Sequence, residues 1–123
     1  MRALVIDDSR AIRKILSRLL VQIGFDVVEA ANGKEALERL KEEGQTDLCL
    51  IDWNMPVMDG YEFLCAVRAD SAYADVRLMM VTTESELEQM VKALDAGADD
   101  YVMKPFTAEV IREKLNLLGI NAG

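Results

Sequence analysis

Ala3-Leu4-Val5-Ile6-Asp7-Asp8 is four apolar side chains running straight into two carboxylates. The pattern returns at Leu48-Cys49-Leu50-Ile51-Asp52 and, with the opposite sign, at Tyr101-Val102-Met103-Lys104-Pro105. A short apolar run bounded by polar or turn residues reads as a strand buried on both faces of a parallel sheet. In such sheets the functional crevice lies beyond the carboxyl ends of the strands. The three runs therefore gather three carboxylates and one ammonium into one pocket.

Between these runs the chain alternates strand and helix five times. Ser9 caps a first helix with Ile12, Ile15, Leu16, Leu19 and Leu20 expected on one face, closed by Gly24. Val27-Val28 opens the second strand. Asn32 with Glu35 starts a helix that turns Ala36, Leu37 and Leu40 inward and stops at Gly44. Asp59-Gly60 starts the third helix, with Tyr61, Leu64, Val67 and Arg68 along one side. Leu78-Met79-Met80-Val81 is the fourth strand, ending at Thr82-Thr83. Ser85 with Glu88 is expected to cap a fourth helix carrying Leu87, Met90, Val91 and Leu94, with Gly97 as its stop. Thr107 caps the last helix, with Val110, Ile111, Leu115 and Leu118. Five βα units with short loops predict an α/β three-layer sandwich, a flavodoxin-like parallel sheet in the order 2-1-3-4-5. In that order Asp7-Asp8, Asp52, Thr82 and Lys104 share one continuous rim.

The rim's charge says what it wants. Two carboxylates about 4 Å apart repel by roughly 4 kcal/mol at an effective dielectric of about 20. Three of them share protons or recruit a cation. A hard cation such as Mg²⁺ suits carboxylates, and it keeps waters that a phosphoryl oxygen can displace. Mg²⁺ and Lys104 together balance the three acids.

Composition narrows the remaining classes. The 123 residues, 51% hydrophobic and 29% charged, are expected to form one domain over 1–123. Net charge is −8, which argues against autonomous nucleic-acid binding. No apolar stretch is long enough for a membrane span, and no basic-then-apolar leader opens the sequence, so a cytoplasmic location is expected. There is no histidine, which removes His-based nucleophilic catalysis and His-ligated zinc. Cys49 and Cys65 lack CxxC spacing and read as small buried hydrophobes.

The ordered set Asp7-Asp8, Asp52-Trp53-Asn54-Met55-Pro56, Asp59-Gly60, Thr82, Gly97-Ala98 and Lys104-Pro105 resembles the receiver domains of two-component response regulators. The likeness covers essentially the whole chain, and the Asp-Trp-Asn-Met-Pro string is similar to the single-domain chemotaxis type. The resemblance implies that Asp52 is the phosphoryl acceptor, taking the group from a phosphohistidine of a histidine kinase or phosphotransfer protein. It implies Mg²⁺ ligation by Asp8, Asp52 and the Asn54 backbone carbonyl, with Asp7 acting through water on the metal. Lys104 and Thr82 would hold phosphoryl oxygens, and Lys104-Pro105 would be a cis peptide. Tyr101 would be the aromatic switch. The face of helix four, strand five and helix five, here offering Leu87, Met90, Tyr101, Met103 and Lys114, would meet an output protein, a flagellar motor switch component being one candidate. Asn54 and Glu84 would tune the phosphoryl lifetime toward fast decay. The protein would be a switch rather than a turnover enzyme, monomeric, with pairing through helix four open on activation.

Other readings are weaker. A flavodoxin-like electron carrier would need a Ser/Thr/Gly-rich phosphate loop where Asp7-Asp8-Ser9-Arg10 stands. A metal-dependent aspartyl phosphohydrolase would carry its Asp-x-Asp pair on the first strand and often a cap domain. Within the receiver reading, the start at Met1 and the lack of linker favour a complete regulator. A relay shuttle or the isolated receiver of a larger regulator stays open.

Overall fold

A computed structural model describes residues 1–83 and 88–120. Five strands, β1 (Arg2–Ile6), β2 (Asp26–Ala30), β3 (Leu48–Asp52), β4 (Arg77–Thr82) and β5 (Asp100–Met103), form one parallel sheet in the order β2-β1-β3-β4-β5. The helices are α1 (Arg10–Ile23), α2 (Gly33–Glu42), α3 (Gly60–Arg68), α4 (Met90–Asp95) and α5 (Ala108–Leu117). This is the flavodoxin-like architecture expected from the alternating pattern. Every residue of β3 is buried, because the central strand is covered on both faces.

Strand alternation divides the core into two layers. Leu4, Ile6, Cys49, Ile51, Leu78 and Met80 point to the side of α2, α3 and α4. Ala3, Val5, Leu48, Leu50, Met79 and Val81 point to the side of α1 and α5. The period of two along each strand makes this division automatic.

Local chemistry starts the helices where the sequence places them. Side-chain oxygens of Ser9, Asn32, Asp59 and Thr107 accept from the backbone N–H groups of Ile12, Glu35, Glu62 and Val110. Each satisfies one of the orphan donors at a helix start. Asp59 and Glu62 form a reciprocal capping box.

The helix faces need correction. Ile15 is 48% exposed, and the inward stripe of α1 is Leu16, Leu20 and Ile23. Val91 and Leu94 face outward, while Met90 and Ala93 seat α4 on the core. Phe63, unassigned from sequence, is the largest fully buried side chain. A 3.6-residue period marks a stripe but leaves its centre uncertain by about one residue when apolar residues are crowded. The expected Ser85–Glu88 cap of α4 cannot be placed, since Ser85 lies outside the described residues. The residue at the N-cap position is Gln89, which makes no side-chain capping hydrogen bond.

Candidate functional site: an acidic rim with one lysine

The rim assembles from three strand ends. Asp7 and Asp8 follow β1, Asp52 ends β3, and Lys104 follows β5. One carboxylate oxygen from each of Asp7, Asp8 and Asp52 lies within 4.8 Å of the others. Lys104 Nζ donates to Asp52 Oδ1 at 3.2 Å and stands 3.9 Å from Asp7 Oδ2. Its own N–H donates to the Thr82 carbonyl at 2.7 Å, which holds the loop after β5 against the end of β4. The Lys104–Pro105 peptide is cis, as expected.

The acids differ in surroundings. Asp7 is buried and Asp8 is exposed. Asp7 Oδ1 accepts the Ser9 N–H at 2.8 Å, while Asp7 Oδ2 is buried with no hydrogen-bond partner among the described residues. Burial pushes the Asp7 carboxyl up from 3.8 to about 6, and the Asp52 charge adds to the rise. The Ser9 N–H and Lys104 oppose it without cancelling it. A buried carboxylate with one oxygen free of hydrogen bonds, beside two more carboxylates, is a donor set suited to a hard divalent cation.

The end of β3 is held from behind. Gly60 N–H donates to the Trp53 carbonyl at 2.9 Å. A Cβ on Gly60 would come within 2.2 Å of the Asp52 carbonyl oxygen, so only glycine lets the start of α3 approach this closely. Between them the chain turns tightly: Met58 N–H donates to the Pro56 carbonyl at 2.7 Å, and Val57 sits at φ 70°. Asn54, in this loop, is exposed.

Thr82 ends β4 fully buried, and its Oγ1 donates to the Thr83 carbonyl at 3.2 Å. Tyr101 is half-buried in β5. Lys114 Nζ lies 4.5 Å above its ring and donates to Asp100 Oδ1 at 3.1 Å. Asp100 was missed by sequence reasoning, and nothing local in the sequence links it to a lysine fourteen residues on. Met103 is half-buried. Met90 is only 3% exposed and packs in the core, so its side chain is not part of an exposed output surface. Glu84 and Leu87 lie outside the described residues. Cys49 is buried and its thiol is pushed up to about 12, consistent with an inert packing role.

Residues 3–116 match the family model for the response regulator receiver domain. The chain belongs to that family. It is 42% identical to the chemotaxis protein CheY1 of Helicobacter pylori, over 98% of this chain and 99% of the relative. It is also 42% identical to the chemotaxis protein CheY homolog of Campylobacter jejuni, over 100% and 96%. Chemotaxis protein CheY4 of Vibrio cholerae superposes with a TM-score of 0.86 at 37% identity, over 94% and 96%. This receiver domain is a component of two-component signalling, and CheY-like receiver domains act as signalling switches. No helix among the described residues is long and apolar enough to cross a membrane.

Proposed function

We infer that this receiver domain is a phosphorylation-activated switch in chemotaxis signalling in the cytoplasm. The observation that carries the reading is the Lys104 ammonium held between Asp52 and Asp7 at the edge of a three-carboxylate cluster. The similarity to chemotaxis regulators along the whole chain supports the process.

An Asp52 carboxylate oxygen attacks the phosphorus of a phosphohistidine on a histidine kinase or phosphotransfer protein. The P–N bond breaks as the new P–O bond forms, and the imidazole leaves with a proton from solvent. Asp7, Asp8, Asp52 and the Asn54 backbone carbonyl would hold Mg²⁺, which supplies charge neutralisation for the incoming phosphoryl oxygens. Lys104 moves its hydrogen bond from Asp52 to a phosphoryl oxygen and stabilises the charge spread over them. Thr82 gives up the Thr83 carbonyl and donates to another phosphoryl oxygen. That rotation opens space behind β4 toward Tyr101, which couples the site to the face of α4, β5 and α5. Tyr101 and Lys114 on that face, with Leu87 beside it in sequence, meet an output protein, a flagellar motor switch component being the first candidate. Asn54, two residues after Asp52, and Glu84, two residues after Thr82 in sequence, set a short phosphoryl lifetime.

Trp53, the single tryptophan, adjoins Asp52 and reports the chemistry. Its fluorescence is expected to change on adding Mg²⁺ and again, saturably, on adding acetyl phosphate. Asp52→Asn is expected to lose the second change. A second change of equal size in Asp52→Asn would refute Asp52 as the acceptor.

A further inference from the structure

The fourth helix packs beside the first turn of α3. It is six residues long, and among the described α-helices it alone lacks a side-chain cap. Met90 and Ala93 are its buried residues. Lys92 also ties it to the body, its ammonium lying 4.3 Å above the ring of Tyr61 on α3. Tyr61 in turn stacks on Trp53, with ring centroids 6.0 Å apart and planes 28° from parallel. Tyr61 directly follows Gly60, whose N–H is bonded to the Trp53 carbonyl and whose Cα rests against the Asp52 carbonyl. A continuous set of contacts therefore runs from the acceptor carboxylate to α4: Asp52, Trp53, Tyr61, Lys92.

We propose that the Lys92–Tyr61 contact is a latch that holds α4 in its resting place and so opposes activation of the switch. It is separate from the Thr82–Tyr101 route, because it leaves the acceptor through the first turn of α3. The contact lies at an open groove lined also by Glu88, Val91, Asp95 and Ala96. Lys92 is exposed there, so the ammonium can leave the ring for water without uncovering core. The structure has Lys104 on Asp52 and Thr82 on local backbone, which is the arrangement before phosphoryl transfer. A contact present in this state and lost when α4 moves biases the equilibrium toward rest. An exposed cation–π contact corresponds to about a two- to fivefold bias.

The inference rests on the phosphoacceptor reading only for its ligand arm. The test compares wild type, Lys92→Met, Tyr61→Leu and the double variant. Binding of beryllofluoride with saturating Mg²⁺ is followed by calorimetry, since Tyr61→Leu alters the surroundings of Trp53. Amide exchange across residues 90–95 is followed with no ligand. Each single variant is expected to bind beryllofluoride about two- to fivefold more tightly and to exchange faster by a similar factor. The double variant should match the singles, because both remove one contact. Tyr61→Phe keeps the ring and should keep wild-type values. Unchanged affinity and exchange in both single variants, or fully additive effects in the double, would overturn the latch. If wild type binds no beryllofluoride, the phosphoacceptor reading fails, and the exchange comparison still decides the latch.

Discussion

The two ends of the one sheet treat charge in opposite ways. At the amino end, Arg68 closes a clamp between the end of α3, the start of β4 and the start of β5. Its guanidinium donates to the carbonyls of Gly97, Tyr73 and Val76 and, at 2.9 Å, to Asp99 Oδ2. Asp99 Oδ2 also accepts the Leu78 N–H at 2.8 Å. The planar fork of arginine matches this set of acceptors. At the carboxyl end, three carboxylates face one lysine, and an Asp7 oxygen is buried without a hydrogen bond. Saturated charge holds the elements together. Unsaturated charge costs stability and waits for a cation and an anion. The fold carries the first at one end and tolerates the second at the other.

The contrast breaks most visibly at Arg68. Arg68→Met keeps the stem that packs on Gly97 but takes the guanidinium from three carbonyls and Asp99, leaving Tyr73 its Val76 N–H and Asp99 its Leu78 N–H. The expected loss is about 3–5 kcal/mol, or a fall in Tm of roughly 10 °C or more. Urea denaturation measures it. A loss under about 1 kcal/mol would mean that water replaces the guanidinium freely and the clamp is ornamental.

At the other end a substitution should stabilise. The Asp7 carboxyl is raised in the folded state, so the folded protein holds that proton more tightly than the unfolded chain does. Stability therefore falls as pH rises from about 4 to about 6, and the full penalty is present at pH 7. At about 1.4 kcal/mol per pH decade it amounts to on the order of 2–3 kcal/mol. Asp7→Asn, which still accepts the Ser9 N–H, should raise Tm at pH 7 by a corresponding amount. The gain should shrink below pH 6 and vanish near pH 4. A variant less stable than wild type at pH 7 would show that Asp7 is already compensated without a metal.

Mg²⁺ should supply that compensation from outside. At a hundredfold excess over its Kd, a ligand of the folded state adds about 2.7 kcal/mol. Thermal melts of wild type with and without Mg²⁺ should show this increment, and Asp7→Asn should show less. Arg68→Met should show the same increment as wild type from its lower base, because the two ends share no partner. An increment lost in Arg68→Met would join what the structure separates.

The sequence discloses these two ends unequally. Ser9, Asn32, Asp59 and Thr107 announce their helices because capping is a local event over three residues. The acidic rim is legible because a parallel sheet places every carboxyl strand end on one side, so Asp7, Asp52 and Lys104 meet whatever packs elsewhere. The Arg68 clamp is not legible. Its partner Asp99 is 31 residues away, and the carbonyls it gathers carry no sequence signature. The Lys92–Tyr61 contact is hidden for the same reason, since it spans two helices whose relative rotation decides it. Met90 reads as core or surface until the seating of α4 is known. Val91, 66% exposed, shows that one residue's difference in phase reverses the answer.

The smallest effect tests whether charge alone explains the clamp. Arg77 Nη1 also approaches Asp99, at 3.7 Å from Oδ1, but its side chain is 47% exposed. It offers Asp99 the same formal charge as Arg68. Solvent screens that attraction, and the cost of fixing a long exposed side chain offsets much of what remains. Arg77→Ala should therefore change stability by less than about 0.5 kcal/mol, while Arg68→Met changes it several-fold more. If urea denaturation instead gives the two variants similar losses, Coulomb attraction to Asp99 carries the clamp. The distinction between saturated and unsaturated ends would then reduce to a count of charges, and the rim's excess of acid would be the only feature left to explain.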